Sequence, residues 1–507
     1  MSQNQLEWAL ESGAVKRLDE RWKALHSNPP SDAYKLVSSI PNDGLESEIL
    51  VLGGGLGLLA ATALQSRGHS VTLIDRSNVG ETHREWNSSR AELEVLKQLA
   101  LPFENIVAKT YQTGFVEFRY DDPRGTKPAR GWIPGVLDVA VSSQSLLSQC
   151  RAKFLGLGGI LREGEAFKHL EIGPWETRVS TDAATYRSRL VLDAMGVLSP
   201  IQFQLHQKPF DWVCPTVGSV VKNLEGVDEN IGEVLVTDRG GDDLGRQLIW
   251  ELFPLEDQKN AVYLFHYAPI GQEGRLESLF ADYFKLLPEY HGNTNAEHIK
   301  PVFGYIPSRH KRRNSSLPRV VPIGDAGAWN NPLTFTGFGS NLRNLPRVLE
   351  LLEFALKFDT LKSSDTIQIG ARQSNLELLS WLTRFMRPLK HDPQSVNRIF
   401  NAFVKSSNAT DPERVKRFYK DQGSSLDFVM LMLGVLREHP SIWRHGFEQL
   451  GMGELMHFLT SPVLSMAREA RAMGADLLWE SVKDRLRPSQ ALAFRAAALE
   501  WQAMHKR

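Results

Sequence analysis

Three features of the sequence predict an α/β (α+β) chain in which a parallel-sheet domain carries an inserted antiparallel sheet and a C-terminal helical region. These are a strand–glycine–helix–strand unit near the start, turn-separated strands in the middle, and a long end with few strand signals. The first lies at Ser47 to Arg76. Ile49-Leu50-Val51-Leu52 has the length and composition of a buried parallel strand. Gly53, Gly54, Gly55 and Gly57 follow at once, then a small-residue helix from Leu58 to Gln65, a turn at Arg67-Gly68-His69, and a strand from Val71 to Ile74 that ends on Asp75 and Arg76. This is the order of a Rossmann-like dinucleotide unit. Glycines let the backbone approach a pyrophosphate, the helix N-terminus offers free N–H groups, and an acid about 20 residues downstream accepts ribose hydroxyls. Gly53, Gly54, Gly55, Gly57, Asp75 and Arg76 are the candidate residues of this end. The glycines fit G-x-G-x-x-G imperfectly: counted from Gly53 the last position holds Leu58, and counted back from Gly57 the first holds Leu52.

The expected organisation is a helical arm over 1–45, a nucleotide-binding domain in two parts over 46–200 and 301–348, an antiparallel substrate domain over 201–300, and a helical region over 349–507. Lys+Arg and Asp+Glu are equal at 59, so no global field draws nucleic acid, and none is expected as a partner. Two cysteines argue against a disulfide scaffold and a Cys-rich metal site, and fit a reducing, cytoplasmic compartment. The opening MSQNQLEWALESG is acidic without an apolar core, so neither a secretory signal nor a transit peptide is expected there. No apolar stretch reaches the roughly 20 residues that span a bilayer, which leaves a soluble or membrane-peripheral protein.

Along the chain, Leu6 to Leu25 reads as helix packed on the main body. Ser89 and Glu92 have capping-box spacing for a helix running toward Leu99. Arg90 within it reads either as a solvated helix charge or as a cation beside the pyrophosphate. Val136 to Val141 is a strand, Ser143 to Phe154 a helix, and Gly159-Ile160-Leu161 a strand returning to the parallel sheet. Phe167 to Val179 and Thr185 to Val191 form a further strand pair, continuing into Leu192-Asp193-Ala194-Met195-Gly196.

From Gly232 to Tyr267 three strands alternate with turn-rich segments, as in a sheet that roofs a substrate cavity. Glu251 stands in the second, within Trp250-Glu251-Leu252-Phe253-Pro254. It is either an exposed strand-face glutamate or, facing inward, a carboxyl kept protonated by desolvation and suited to general-acid work. Arg309-His310-Lys311-Arg312-Arg313 reads as a solvated basic loop, with anionic lipid head groups as the other use.

A second glycine-and-acid turn follows. The strand Val320 to Ile323 ends in Gly324-Asp325-Ala326-Gly327, and Thr336-Gly337-Phe338-Gly339 opens a helix. Asp325 suits ribityl hydroxyls; Gly337 and Gly339 open a helix whose dipole favours an anionic reduced flavin ring. One motif for a pyrophosphate and another for a flavin end select FAD over NAD. Beyond Leu349 the apolar helices Leu426 to Leu436 and Phe447 to Ala467 read as buried core or as a membrane-docking face.

The motifs Gly53-Gly54-Gly55-Leu56-Gly57, Arg84-Glu85-Trp86-Asn87-Ser88-Ser89-Arg90, Leu192-Asp193-Ala194-Met195-Gly196, Trp250-Glu251-Leu252-Phe253-Pro254, Phe303-Gly304-Tyr305-Ile306-Pro307 and Pro332-Leu333-Thr334-Phe335-Thr336-Gly337-Phe338-Gly339-Ser340 together resemble the Cru-type lycopene cyclases. These belong to the FAD-dependent superfamily that also holds geranylgeranyl reductases, flavin halogenases and aromatic hydroxylases. The resemblance implies an isomerase of carotenoid biosynthesis that uses FAD, in reduced form, without net redox change. It implies a hydrophobic carotenoid or isoprenoid substrate, Glu251 as the acid, and peripheral membrane contact. Alternatives sharing the fold are a flavin monooxygenase, an isoprenoid reductase and a non-cyclase paralogue; a flavin-free binding protein is of a different class.

Overall fold

The computed structural model describes residues 2–41, 46–82, 84–117, 128–237, 240–292, 295–310, 315–329, 331–371 and 374–505. Two helices, α1 (Ser2–Leu10) and α2 (Ala14–Ser27), lead in. The parallel sheet is built from β1 (Ile49–Leu52), β2 (Val71–Asp75), β5 (Ile160–Glu163), β6 (Leu190–Asp193) and β12 (Val320–Pro322), in the spatial order β12-β6-β1-β2-β5. Every pairing in it is parallel. Strand side chains alternate between faces, and both faces are buried. Ile49 and Val51 join the core under α3 (Leu56–Ser66), α5 (Ser143–Gly156) and α7 (Gly337–Phe358). Leu50 and Leu52 pack instead against a small sheet formed by Tyr34–Leu36, Phe167–Ile172, Thr177–Thr181 and Thr185–Ser188. That double burial is why the strands read as continuous apolar runs.

Between β2 and β5 lie β3 (Trp86–Ser88), α4 (Arg90–Gln98) and β4 (Val139–Val141), with β3 and β4 paired antiparallel. The second sheet is antiparallel at its centre: β7 (Trp212–Lys222), β8 (Ile231–Thr237), β9 (Ile249–Pro254), β10 (Lys259–Phe265) and β11 (Glu297–Ser308). β7 pairs with both β10 and β11, and the sheet also recruits Gln112–Glu117 from the earlier part of the chain. Its two faces are also both covered. Trp250, Leu252 and Val262 pack on the arm and on α6 (Leu276–His291), whereas Ile249, Phe253 and Tyr263 face the C-terminal helices. Asp19 fastens the arm: its carboxylate accepts a hydrogen bond from the Tyr305 hydroxyl at 2.6 Å and one from the Leu276 N–H at 3.2 Å.

The helical end comprises α8 (Ser374–Leu382), α9 (Ser395–Asn408), α10 (Pro412–Tyr419), α11 (Ser425–Glu438), α12 (Ile442–Val482, broken at Gly451 by a φ of 71°) and α13 (Pro488–His505). No helix among the described residues is long and apolar enough to cross a membrane. Of the basic loop, Lys311, Arg312 and Arg313 lie outside the described residues. His310 is not solvated: its side chain is buried, with Nδ1 2.7 Å from Asp211.

Candidate active site

Two cavities meet where the sheets adjoin. The first, a cleft of about 460 Å³, runs over the glycine turn after β1 and is lined by Gly53, Gly54, Gly55, Asp75, Arg76 and Asp325 among others. Each glycine there has its own task. Gly53 has a φ of 109° and sits so close to the Ala194 carbonyl that a Cβ would collide with it. Gly55 faces open space, so its backbone presents nothing but N–H and Cα to the cleft. Gly57 turns inward, where a Cβ would strike Ala194 and Val51, and sets the approach of helix to sheet. Asp75 ties the turn to the next strand: its carboxylate accepts from the Gly54 N–H at 2.6 Å and the Ser77 N–H at 2.8 Å. Burial pushes its carboxyl up against the pull of those bonds. Arg76 stands at the exposed rim.

The second cavity, about 170 Å³, lies between the antiparallel sheet and the start of α7. Leu56, Arg84, Trp86 and Asp325 line both spaces, which are therefore contiguous. The turns after β1 and β12, 270 residues apart in the sequence between Gly55 and Asp325, thus open on one site. Burial raises the pKa of Asp325, and the nearby Arg84 opposes the shift. Gly337 begins α7 and lines the second cavity. Gly339 does not: it packs against the Glu92 carboxylate, which a Cβ would displace.

Glu251 faces into this second cavity and is 6% exposed. Its strand neighbours Trp250 and Leu252 point the other way, so alternation alone aims it between Ile249 and Phe253. It pairs across the sheet with Tyr263. The Asn87 amide donates to Glu251 Oε1 at 2.9 Å. Desolvation lifts the Glu251 pKa to about 7, only partly offset by the Asn87 bond. Phe253, Phe265, Phe303 and Phe335 supply ring walls. The result is a proton donor poised near neutrality in a mostly apolar chamber.

The reading of Arg90 as the pyrophosphate cation is corrected. Arg90 is the first residue of α4 and exposed; its guanidinium donates to the Thr110 hydroxyl rather than into the cleft. The capping carboxylate of Glu92, which accepts from the Ser89 N–H at 3.1 Å, fixes the helix start so that Arg90 turns outward. Arg84 and Arg21 line the cleft in its place. Arg84 crosses directly over Gly304 of β11, where any side chain would block it. That glycine, in the Phe-Gly-Tyr stretch, and the place of Arg84 at the head of the Arg84–Arg90 motif are the sequence signals that could have marked it. Asn87 lies within the same motif, whereas Arg21 carries no such mark. Among the described residues no group of three or more His, Cys, Asp or Glu could hold a metal ion.

No protein-family model matches the sequence, and no curated protein does. Solved structures match the fold. Halogenase PltM, crystallised with phloroglucinol and FAD, is similar over 81% of this chain and 98% of that one, at 13% identity and a TM-score of 0.53. A geranylgeranyl bacteriochlorophyll reductase-like protein from Thermoplasma acidophilum is similar over 80% and 99%, at 12% identity and 0.53. The Diels-Alderase PyrE3 is similar over 74% and 80%, at 15% identity and 0.50. The fold is therefore the Rossmann-like α/β architecture that these solved structures share.

Proposed function

We propose that the chain is an FAD-dependent enzyme of the lycopene-cyclase type, closing β-rings at the ends of a linear carotene by acid-initiated cyclisation. The observation that carries this reading is Glu251, a buried carboxyl with its pKa lifted to about 7, in a mostly apolar, phenylalanine-walled chamber that opens onto the glycine-turn cleft. The cleft fits FAD: Gly55 leaves room for a close phosphate, Asp75 stands at the ribose end, and Asp325 sits at the chamber end. Gly53→Ala is expected to purify without the visible absorbance of a flavin and to take up none, because its Cβ meets backbone rather than a flexible side chain.

Bound in its reduced form, FAD would supply negative charge that stabilises a nearby carbocation without being consumed. Glu251 donates its proton to the terminal trisubstituted alkene, and Asn87 holds the carboxyl in place. The resulting cation is attacked by the next double bond, closing a six-membered ring. Phenylalanine faces around the chamber stabilise positive charge and keep out water that would trap it. Loss of a ring proton to the Glu251 carboxylate then restores the acid, so the reaction balances as an isomerisation. Trp443, Phe447, Met456 and Val463 are exposed on α12, which supports peripheral contact with the membrane that dissolves such a substrate.

The test is purified protein with reduced FAD and lycopene in lipid vesicles, with products separated by chromatography. Monocyclic or bicyclic carotene is the expected result, and kcat/KM should fall about tenfold per pH unit above the Glu251 pKa of about 7. Absence of cyclic product together with substrate-stimulated, oxygen-dependent NAD(P)H consumption would instead make it a flavin redox enzyme. The reductase-like and halogenase neighbours favour that second reading.

A further inference from the structure

A separate cavity of about 340 Å³ lies among α8 to α12 and shares no lining residue with the Glu251 chamber. Its wall is ring-rich, with Phe385, Phe400, Phe428 and Phe458, and carries no Asp, Glu, Lys, Arg or His. Its mouth is formed by Leu433, Leu436, Trp443 and Leu459, which are between 42% and 60% exposed. Its inner end is Leu333 and Thr334. The adjoining residues Asn331, Pro332 and Phe335 line the Glu251 chamber, so one short loop has a cavity on each side.

Phe335 has a φ of 56°, a left-handed conformation that bulky residues avoid and that marks functional sites. Asp421 imposes it. Its carboxylate accepts from the hydroxyls on either side of Phe335, Thr334 at 2.8 Å and Thr336 at 2.6 Å. The Phe335 ring rests 4.8 Å from that of Phe265, and the Tyr267 hydroxyl donates to the Pro332 carbonyl at 3.0 Å.

We propose that the cavity among the C-terminal helices binds an uncharged, predominantly hydrocarbon ligand, and that the 331–336 loop clamped by Asp421 is the partition between this site and Glu251. The lining excludes charged ligands. With no ionisable group beyond a tyrosine hydroxyl it has nothing to pair with a carboxylate or phosphate head. Its volume lies within the ~300–1,000 Å³ of small-molecule pockets and is too small for a peptide helix about 10 Å across. The partition half rests on the proposed role of Glu251; the binding half does not.

The test uses the purified full chain and all-trans-retinol, a neutral isoprenoid polyene that fluoresces in apolar surroundings. Saturable binding of one retinol per chain is expected, displaced by squalene and at least tenfold less well by oleate. Val429→Trp and the milder Val429→Phe, both of which fill the cavity, should weaken binding tenfold or more. Leu477→Ser, on the exposed face of α12 away from the mouth, should leave it unchanged. Hydrogen exchange on retinol binding should slow at 331–336 and 425–438. Affinity unaltered by the variant of Val429 that folds, or protection confined to the outer face of 463–482, would overturn the proposal, as would oleate displacing as well as squalene. Retinol binding that persists in a protein making no cyclic product would remove the cyclase reading alone.

Discussion

Glu251→Gln is expected to lower cyclisation by about 10²–10⁴-fold while flavin uptake stays intact. The amide keeps the shape of the side chain and can still accept from Asn87, but it has no proton to give. The same substitution should change stability with a definite sign. Folding raises the Glu251 pKa from 4.5 to about 7, so the folded state holds a proton that the unfolded chain releases. Its contribution is complete below about pH 4.5, is lost progressively as pH climbs, and is gone above about 7, a difference of roughly 3 kcal/mol. The Gln variant lacks this dependence. It should melt at a higher temperature than the parent at pH 8 and show no such advantage at pH 4. Equal activity of variant and parent would remove Glu251 from the chemistry.

Arg343→Met should destabilise the fold by about 3–5 kcal/mol near pH 8, read by denaturant or thermal unfolding. Arg343 lies between two buried carboxylates: it is ion-paired with Glu92 and its Nη2 is 3.5 Å from Asp421, whose side chain is 1% exposed. Burial pulls the guanidinium pKa down to about 10, so it is still charged at neutral pH. Without it, two desolvated negative groups face each other with no cation. The loss should shrink toward acid pH, because burial already pushes the Asp421 carboxyl up and protonation relieves the repulsion. An equal deficit at pH 5 and pH 8 would show that Arg343 acts through packing alone.

Local chemistry made much of this site readable. The apolar strand, glycine turn and terminal acid at 49–75 are a self-contained pattern, because phosphate binding constrains neighbouring residues. Glu251 could be read as far as its strand, and period-two alternation then decides its face. Its environment could not be read: Asn87 comes from a strand 164 residues away. Arg90 failed for a related reason, since the cap that turns it outward also fits a residue turned inward. β7 escaped notice because both its faces are buried, leaving Trp212–Lys222 without an alternating pattern. Asp421 lies in a polar turn after α10 and gains its importance only when the chain folds back onto Thr334, Thr336 and Ser340.

The arm has a consequence for biosynthesis. Leu18 and Arg21 form part of the lining of the cleft over the glycine turn, yet Asp19 between them is anchored to Tyr305, 286 residues later. The ribosome must therefore release β11 before the earliest helices can dock. Completion of the cleft is consequently a late event, after well over half of the polypeptide has emerged.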